Sequence, residues 1–181
     1  GLDLANLKGG EKVAVLGGGV IGLLVVQLAK LAGASEIVLI TRQKFRRDVA
    51  LKIGATRVID PNSEDVNTAV TNMDVVFECA GAVETFQQAQ NIARRGGSVI
   101  VLGLTAADVT LEVNPFNIVV NELRIQGSFL NPLTQGRAAE LVESGKLNLD
   151  ILISKVVDLA GVQAILDAPP AEGDIKYIAC P

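Results

Sequence analysis

Short runs of β-branched and aliphatic residues alternate along the chain with longer segments that repeat apolar residues at helical spacing. This alternation is typical of βαβ units and a parallel sheet. Most runs are apolar on both faces, which favours strands covered by helices on each side over a half-solvated antiparallel sheet. The six predicted strands are 12–16, 36–40, 57–59, 74–77, 98–102 and 123–126.

The predicted helices lie between these strands. Segment 20–31 carries four leucines on one helical face and ends shortly before Gly33, a residue type that commonly terminates a helix. Further helices are predicted over 43–53, 64–71 and 83–93. After about Leu130 the composition changes, and the tail is predicted as a helix, a loop, a second helix, a proline break and a last strand. These tail elements are 133–144, 159–168, Pro169–Pro170 and 175–179.

Composition excludes several kinds of chemistry. The 181 residues contain no histidine, so the chain cannot form a Ser-His-Asp or Cys-His relay, an H-E-x-x-H helix or a Cys/His zinc finger. A net charge of −4 argues against a nucleic-acid partner. The longest apolar run is too short to cross a bilayer and no signal peptide is visible, so we expect a soluble, cytoplasmic protein without a membrane partner.

A glycine-rich loop connects the first predicted strand to the first long helix. Residues 17–22 read Gly-Gly-Gly-Val-Ile-Gly, a G-x-G-x-x-G motif. In this setting Gly17 permits a tight turn, Gly19 lets backbone approach a pyrophosphate, and Gly22 lets helix and strand pack closely. Val20 and Ile21 begin the helix, whose free N–H groups face the anion. The loop predicts dinucleotide binding on a doubly wound, parallel, six-stranded Rossmann sheet of the α/β class; a plain glycine-rich turn is the alternative.

The end of the second strand indicates which dinucleotide binds. An acidic residue that would hold the adenosine ribose is missing there, and Thr41 and Arg42 occupy the position. Four cations follow within 42–47, at a helix start where positive charge is disfavoured. A ribose 2′-phosphate would satisfy such cations, which favours NADP as the cofactor and leaves NAD as the second choice. The alternative is a solvated basic face relieved by Asp48.

Taken together, these motifs resemble the cofactor half of the medium-chain dehydrogenase/reductase family. The resemblance covers nearly the whole chain and is closest to the zinc-type branch, which includes polyol, threonine and secondary-alcohol dehydrogenases. The zinc-free quinone reductases are the second choice. The segments that carry the resemblance are 10–22, 32–34, 53–55, 74–81, 96–98 and 102–104.

The resemblance implies a set of cofactor-binding residues. Thr41, Arg42 and Arg46 match the pattern of NADP-using members, and Leu102 to Leu104 match the turn that faces the nicotinamide. Leu130 stands where several polyol members carry a basic residue, which weakens a specific polyol assignment. The remaining implied residues are Ala80 and Gly81, Gly103 within the nicotinamide turn, Ser128 and Phe129 after the sixth strand, and Lys176, for which an exposed edge-strand lysine is an equal alternative.

The GroES-like half of such enzymes, which supplies the catalytic zinc ligands, has no counterpart in this sequence. The resemblance therefore implies zinc only in that absent domain, and residues 136–181 as the segment that packs back on it after a nucleotide-binding domain of residues 1–135. We interpret Cys79 and Cys180 as reduced thiols, and Cys79 beside Glu78 as a buried thiol rather than half of a zinc pair.

The leading hypothesis is thus the NADP-binding domain of a zinc-type alcohol or polyol dehydrogenase, inactive on its own, with a small alcohol as the substrate of the whole enzyme. A stand-alone nucleotide-sensing module is a second hypothesis, and Thr41-Arg42 argues against a methyltransferase. The apolar run 118–120 beside the sixth strand predicts a sheet edge that pairs in a homodimer or homotetramer.

Overall fold

The computed structural model describes residues 1–130, 133–168 and 171–181. Six parallel strands form the main sheet, and two more form a small parallel sheet in the tail. The strands are β1 (Lys12–Leu16), β2 (Glu36–Ile40), β3 (Arg57–Ile59), β4 (Met73–Glu78), β5 (Ala93–Val101), β6 (Arg124–Gly127), β7 (Ile153–Val157) and β8 (Lys176–Ala179). The helices are α1 (Leu2–Ala5), α2 (Val20–Leu31), α3 (Lys44–Ile53), α4 (Val66–Ala69), α5 (Val83–Ile92), α6 (Pro115–Val120), α7 (Gln135–Glu143) and α8 (Val162–Asp167).

The main sheet has the order β3-β2-β1-β4-β5-β6. β2 and β3 are added on one side of β1, and β4, β5 and β6 are added on the other side, so the order of the strands reverses between β1 and β4. Successive side chains of each strand point to opposite faces of the sheet, and each face has its own hydrophobic core. Val13 and Val15 pack with Leu23 of α2 on one face, whereas Leu16 packs with Ile92 of α5 on the other. This arrangement confirms the predicted α/β sheet covered by helices on both sides.

The bounds of β1, β2, β3 and α2 agree with the predicted ranges. β5 instead begins at Ala93, earlier than the predicted 98, because Ala93 pairs with Met73 ahead of a register shift in the ladder. The predicted helix 64–71 is only the single turn α4, which Asp65 caps by accepting a hydrogen bond from the N–H of Asn67.

One expectation about the edge of the sheet is wrong. The run 118–120 lies in α6 and not beside β6 on the sheet. Pro115 occupies the first turn of α6, and the side chain of Asn114 accepts a hydrogen bond from the N–H of Phe116. A proline in the first turn behind an asparagine cap is a strong helix start, and it determines the conformation of the apolar run.

The tail contains a strand that the sequence pattern did not reveal. β7 falls within the predicted loop and pairs with β8, which lies close to the predicted 175–179. The helices α7 and α8 occupy the middle of the two predicted tail helices. The predicted break at Pro169–Pro170 lies outside the described residues.

The start of the tail is attached to the main domain. Gln27 of α2 is buried and exchanges two hydrogen bonds with the backbone of Asn148, at 3.1 Å and 2.7 Å. Leu152 is buried in the core beside α2. Within the described ranges, no helix is both long and apolar enough to cross a membrane.

Asp74 links three strands at the amino end of the sheet. Its carboxylate accepts hydrogen bonds from the backbone N–H of Lys12, at 2.8 Å, and from the guanidinium of Arg94. Burial acts to raise the pKa of Asp74, but these hydrogen bonds outweigh it and hold the pKa below its ordinary value of 3.8. The contribution to stability is therefore present above the unfolded-state pKa and is lost as the pH falls through the folded-state pKa.

We expect Asp74→Asn to lower the free energy of unfolding by about 1–2 kcal/mol at neutral pH, because charge-assisted hydrogen bonds are lost. The difference from the unchanged chain should shrink as the pH falls from about 5 to about 3. Urea unfolding at a series of pH values measures both effects. Asp108→Asn, in an exposed loop, is the matched control; a difference that does not depend on pH would contradict the assignment.

Candidate functional site

The carboxyl ends of five parallel strands bring most of the predicted site residues to one edge of the sheet. Ligands of open parallel sheets bind at this edge, next to the point where the strand order reverses. In spatial order, the segments are Thr41–Arg42 after β2, the glycine loop after β1, Ala80–Gly81 after β4, Leu102–Leu104 after β5, and Ser128–Phe129 after β6.

The glycine loop is packed too tightly for side chains at two of its positions. Gly17 has a φ of 105° and donates a hydrogen bond to the carbonyl oxygen of Ile40. A Cβ at Gly17 would lie 2.8 Å from the backbone nitrogen of Ala80, and one at Gly22 would overlap the carbonyl oxygen of Gly17. The turn after β1 is therefore held against β2, β4 and its own helix.

The start of α2 is open, in contrast. Gly19 is the N-cap residue, no side chain caps the helix, and a Cβ at Gly19 would have no neighbour within 4 Å. The N–H groups of a first helical turn have no acceptor within the helix. Val20 and Ile21 begin that turn, so their N–H groups and the helix dipole favour an anion at this position.

The end of β2 lies against the glycine loop. A Cβ at Gly18 would be 3.0 Å from the hydroxyl oxygen of Thr41, so the loop backbone lies directly against this side chain. The residue that follows β2 at this edge is therefore the small, uncharged Thr41, packed against the loop.

The four cations that follow β2 have different environments. Lys44 forms an ion pair with Asp48 at 2.7 Å. Arg47 forms an ion pair with Asp60 at 2.9 Å and donates hydrogen bonds to the carbonyl oxygens of Thr41 and Arg42, at 2.7 Å and 2.8 Å. Lys44 is therefore part of the solvated face considered above, and Arg47 stabilises the turn.

Arg42 and Arg46 differ from those two. Within residues 1–130, 133–168 and 171–181, neither guanidinium forms an ion pair, and the side chain of Arg42 is exposed. Arg46 donates one hydrogen bond to the carbonyl oxygen of Asp174, at 3.2 Å, while its buried Nε has no acceptor. A buried donor without an acceptor is costly, so Nε favours an added anionic ligand.

Arg46 and Lys176 line the same groove of about 430 Å³, between the β7–β8 sheet and α8. Asp174 shapes this groove, because its carboxylate accepts hydrogen bonds from the N–H of Ala171 and the hydroxyl of Tyr177. The hydrogen bond to Asp174 raises the pKa of Tyr177 above its ordinary value. The sequence pattern did not reveal Asp174; its position two residues before the predicted Lys176 was the available signal.

The turns after β4 and β5 contact each other. A Cβ at Gly103 would overlap the backbone nitrogen of Gly81, and Gly81 has a φ of 69°. Ser128 continues β6 alongside β5 by donating a backbone hydrogen bond to Val101, at 2.9 Å. Leu104 and Phe129 are largely exposed, which leaves apolar surface at this end of the edge.

Glu78 is the buried residue that sequence reasoning did not place in the site. It ends β4 at 1% exposure, and its Oε1 accepts three hydrogen bonds. A lone carboxylate at the end of an apolar strand was the available signal. Burial, aided by the charge of Glu78, raises the pKa of the neighbouring Cys79 thiol well above its ordinary value. Within the described ranges, no group of three or more Cys, Asp or Glu could hold a metal ion.

Comparisons with known proteins agree with this geometry. The family model for zinc-binding dehydrogenases matches residues 20–144. D-arabinitol dehydrogenase 1 of Uromyces fabae is 30% identical over 100% of this chain and 54% of its own length. L-threonine 3-dehydrogenase of Pyrococcus horikoshii is 35% identical over 83% of this chain and 45% of its own length. The chain thus spans about half the length of these curated relatives.

A solved structure gives a close match in three dimensions. It comes from Sinorhizobium meliloti 1021 and is described as a zinc-binding dehydrogenase bound to NADP. It is 42% identical to this chain, with a TM-score of 0.97, over 99% of this chain and 55% of the other.

The glycine loop yields a test of packing. We expect Gly22→Ala to lower the free energy of unfolding by about 3 kcal/mol or more, because the added methyl group would overlap a backbone oxygen that side-chain motion cannot displace. Gly19→Ala, with open space around its Cβ, should leave stability within about 1 kcal/mol. Urea unfolding of both variants measures the difference, and equal stabilities would show that the loop is not packed in this way.

Proposed function

The chain belongs to the zinc-binding dehydrogenase family, and we propose that it is the NADP(H)-binding part of an alcohol or polyol dehydrogenase. The family's cofactor-binding fold accounts for the whole six-stranded sheet. The match to about half of each relative supports a division in which this chain binds the cofactor. When bound, NADP(H) would supply or accept the hydride in the reversible oxidation of an alcohol carbon.

The pyrophosphate would bind at the start of α2. Gly19 leaves room for backbone to approach it closely, and the uncapped N–H groups of Val20 and Ile21 provide donors. Lys176 would add positive charge from the tail; it lines the same groove as Arg46.

The choice of NADP rests on two of the cations that follow β2, whose side chains form no ion pair in the described part of the chain. Arg42 is exposed and has no ion-pair partner in the described part of the chain, and Arg46 holds a buried Nε without an acceptor. Thr41 adds no negative charge. A 2′-phosphate would satisfy both arginines, whereas the uncharged 2′-hydroxyl of NAD would be a weaker partner for each of them. The NADP bound to the Sinorhizobium relative supports the same choice.

The nicotinamide half would rest on the turns after β4, β5 and β6. We assign Ala80, Gly81, Leu102, Gly103 and Leu104 to this surface. Ser128 and Phe129 would complete it at the end of β6. These residues orient the ring and exclude water from one of its faces, while the zinc and the proton-transfer groups of the reaction would come from polypeptide outside this sequence.

The proposal predicts a selective effect of Arg42→Ala. Loss of one charge-assisted contact should weaken NADPH binding by about 1.5–3 kcal/mol and leave NADH binding unchanged. Fluorescence or calorimetric titration of both cofactors against the purified chain measures this. Lys44→Ala is the matched control, because Lys44 is a nearby cation that already pairs with Asp48. Equal or tighter binding of NADH than of NADPH by the unchanged chain would refute the phosphate assignment.

The cytoplasmic location stays a prediction. We also propose that the free edge of β6 pairs with β6 of a second copy of the chain. β6 is an outermost strand; Phe129 and Leu130, which follow it in sequence, are largely exposed, as are Phe116 and Val119 of the preceding helix α6. An uncovered strand with apolar neighbours is a template for pairing.

We expect light scattering to give at least twice the mass of one chain. Val119→Asp should lower this mass, whereas Val156→Asp, at an exposed position of the small sheet, should not. A monomer at high concentration for the unchanged chain would contradict the pairing.

A further inference from the structure

Glu78 has an environment that its place in an apolar strand does not require. It is 1% exposed at the carboxyl end of β4, between the glycine loop and the turn after β5. Carboxylates are seldom buried completely unless several groups satisfy them, because desolvation of the charge is costly. The arrangement around Glu78 therefore points to a specific use of its side chain.

The side chain and the backbone of Glu78 bind different turns. Oε1 accepts hydrogen bonds from the N–H groups of Ala80 and Gly81, each at 2.9 Å, and from the hydroxyl of Thr85 at 2.8 Å. The backbone oxygen accepts hydrogen bonds from the N–H groups of Leu102 and Gly103, at 2.8 Å and 3.0 Å. One residue thus holds the turn after β4 with its carboxylate and the turn after β5 with its carbonyl group.

The carboxylate also lies where the two turns meet. A Cβ at Gly103 would come within 2.5 Å of Oε2, so the backbone of the second turn lies directly against the side chain of Glu78. The negative charge is compensated by the two N–H groups, by Thr85 in the first turn of α5, and by the dipole of that helix. In the described part of the chain, no cation forms an ion pair with it.

We propose that Glu78 is a positioning residue for the nicotinamide half of the cofactor. Its carboxylate fixes the Ala80–Gly81 turn against the Leu102–Leu104 turn, which together form the surface for the ring. This inference rests on the proposed function, because it takes the nicotinamide to lie on these turns. It separates the site into two parts, because in the described residues neither Arg42 nor Arg46, which would hold the 2′-phosphate of the adenosine half, forms a hydrogen bond with Glu78.

The two parts can be separated with two ligands. NADPH contacts the whole edge, whereas 2′,5′-ADP carries only the adenosine half and its phosphates. Removing the carboxylate would leave the N–H groups of Ala80 and Gly81 without their acceptor, and the turn would relax to find another. NADPH binding should then weaken while 2′,5′-ADP binding should not.

The experiment titrates both ligands against the 181-residue chain and its variants. We expect Glu78→Ala to weaken NADPH about 10-fold or more, with 2′,5′-ADP changed less than about twofold. The fluorescence enhancement of the bound reduced nicotinamide should also fall, since it reports the surroundings of the ring. Glu78→Gln keeps a side-chain oxygen at the same distance from the backbone but removes the charge. It should give intermediate values of NADPH affinity and of nicotinamide fluorescence. Glu84→Ala is the control. Glu84 is an exposed residue of α5 whose carboxylate accepts a hydrogen bond from the side chain of Gln88.

Other outcomes would overturn the inference. An equal loss of both ligands would mean that Glu78 supports the fold in general, and unchanged NADPH binding and fluorescence would mean that it positions nothing. If Glu78→Ala does not fold, as judged by circular dichroism, the same comparison is made on Glu78→Gln. If the unchanged chain binds neither ligand, the proposed function fails first, whereas normal binding without a split between ligands refutes this inference alone.

Discussion

The close contact between the backbone of β1 and the first turn of α2 is the constraint on which the site depends. At Gly17 and Gly22 there is no room for a side chain, and at Gly19 there is room for a ligand. The chain therefore turns sharply enough to direct the helix start at the edge of the sheet, and the loop packs against Ala80, which follows β4, and Thr41, which follows β2. The remaining site segments take their places because parallel strands end at a common edge.

The charges at this edge illustrate how one run of like residues can serve several purposes. Within six residues, one cation forms a solvated ion pair, one stabilises the turn by hydrogen bonds to carbonyl groups, and two form no ion pair in the described part of the chain. The sequence alone indicates an excess of positive charge but not this division, because Asp60 and Asp174 are distant in sequence and reach the arginines only in the fold.

Local signals accounted for much of the fold. The strand β1, the helix α2 and the motif between them could be predicted to the residue, since apolar periodicity and glycine positions act over short distances. The helix at 118–120 was missed because an asparagine cap and a proline outweigh a β-branched run. β7 was missed because its partner β8 lies about twenty residues away and the pairing has no local signal. Glu78 was missed as part of the site because its role depends on two turns that meet only in three dimensions.

The order of the strands has a consequence for the synthesis of the protein. The glycine loop leaves the ribosome before the other segments of the site, but β1 pairs on one side with β4, which begins at Met73. At about 5–20 residues per second, this apolar strand waits several seconds for its second partner. During that time the nascent chain exposes a half-paired hydrophobic edge, and the loop lacks the backbone of Ala80 against which it turns. Cofactor can therefore stabilise the growing chain only after β4 has been made.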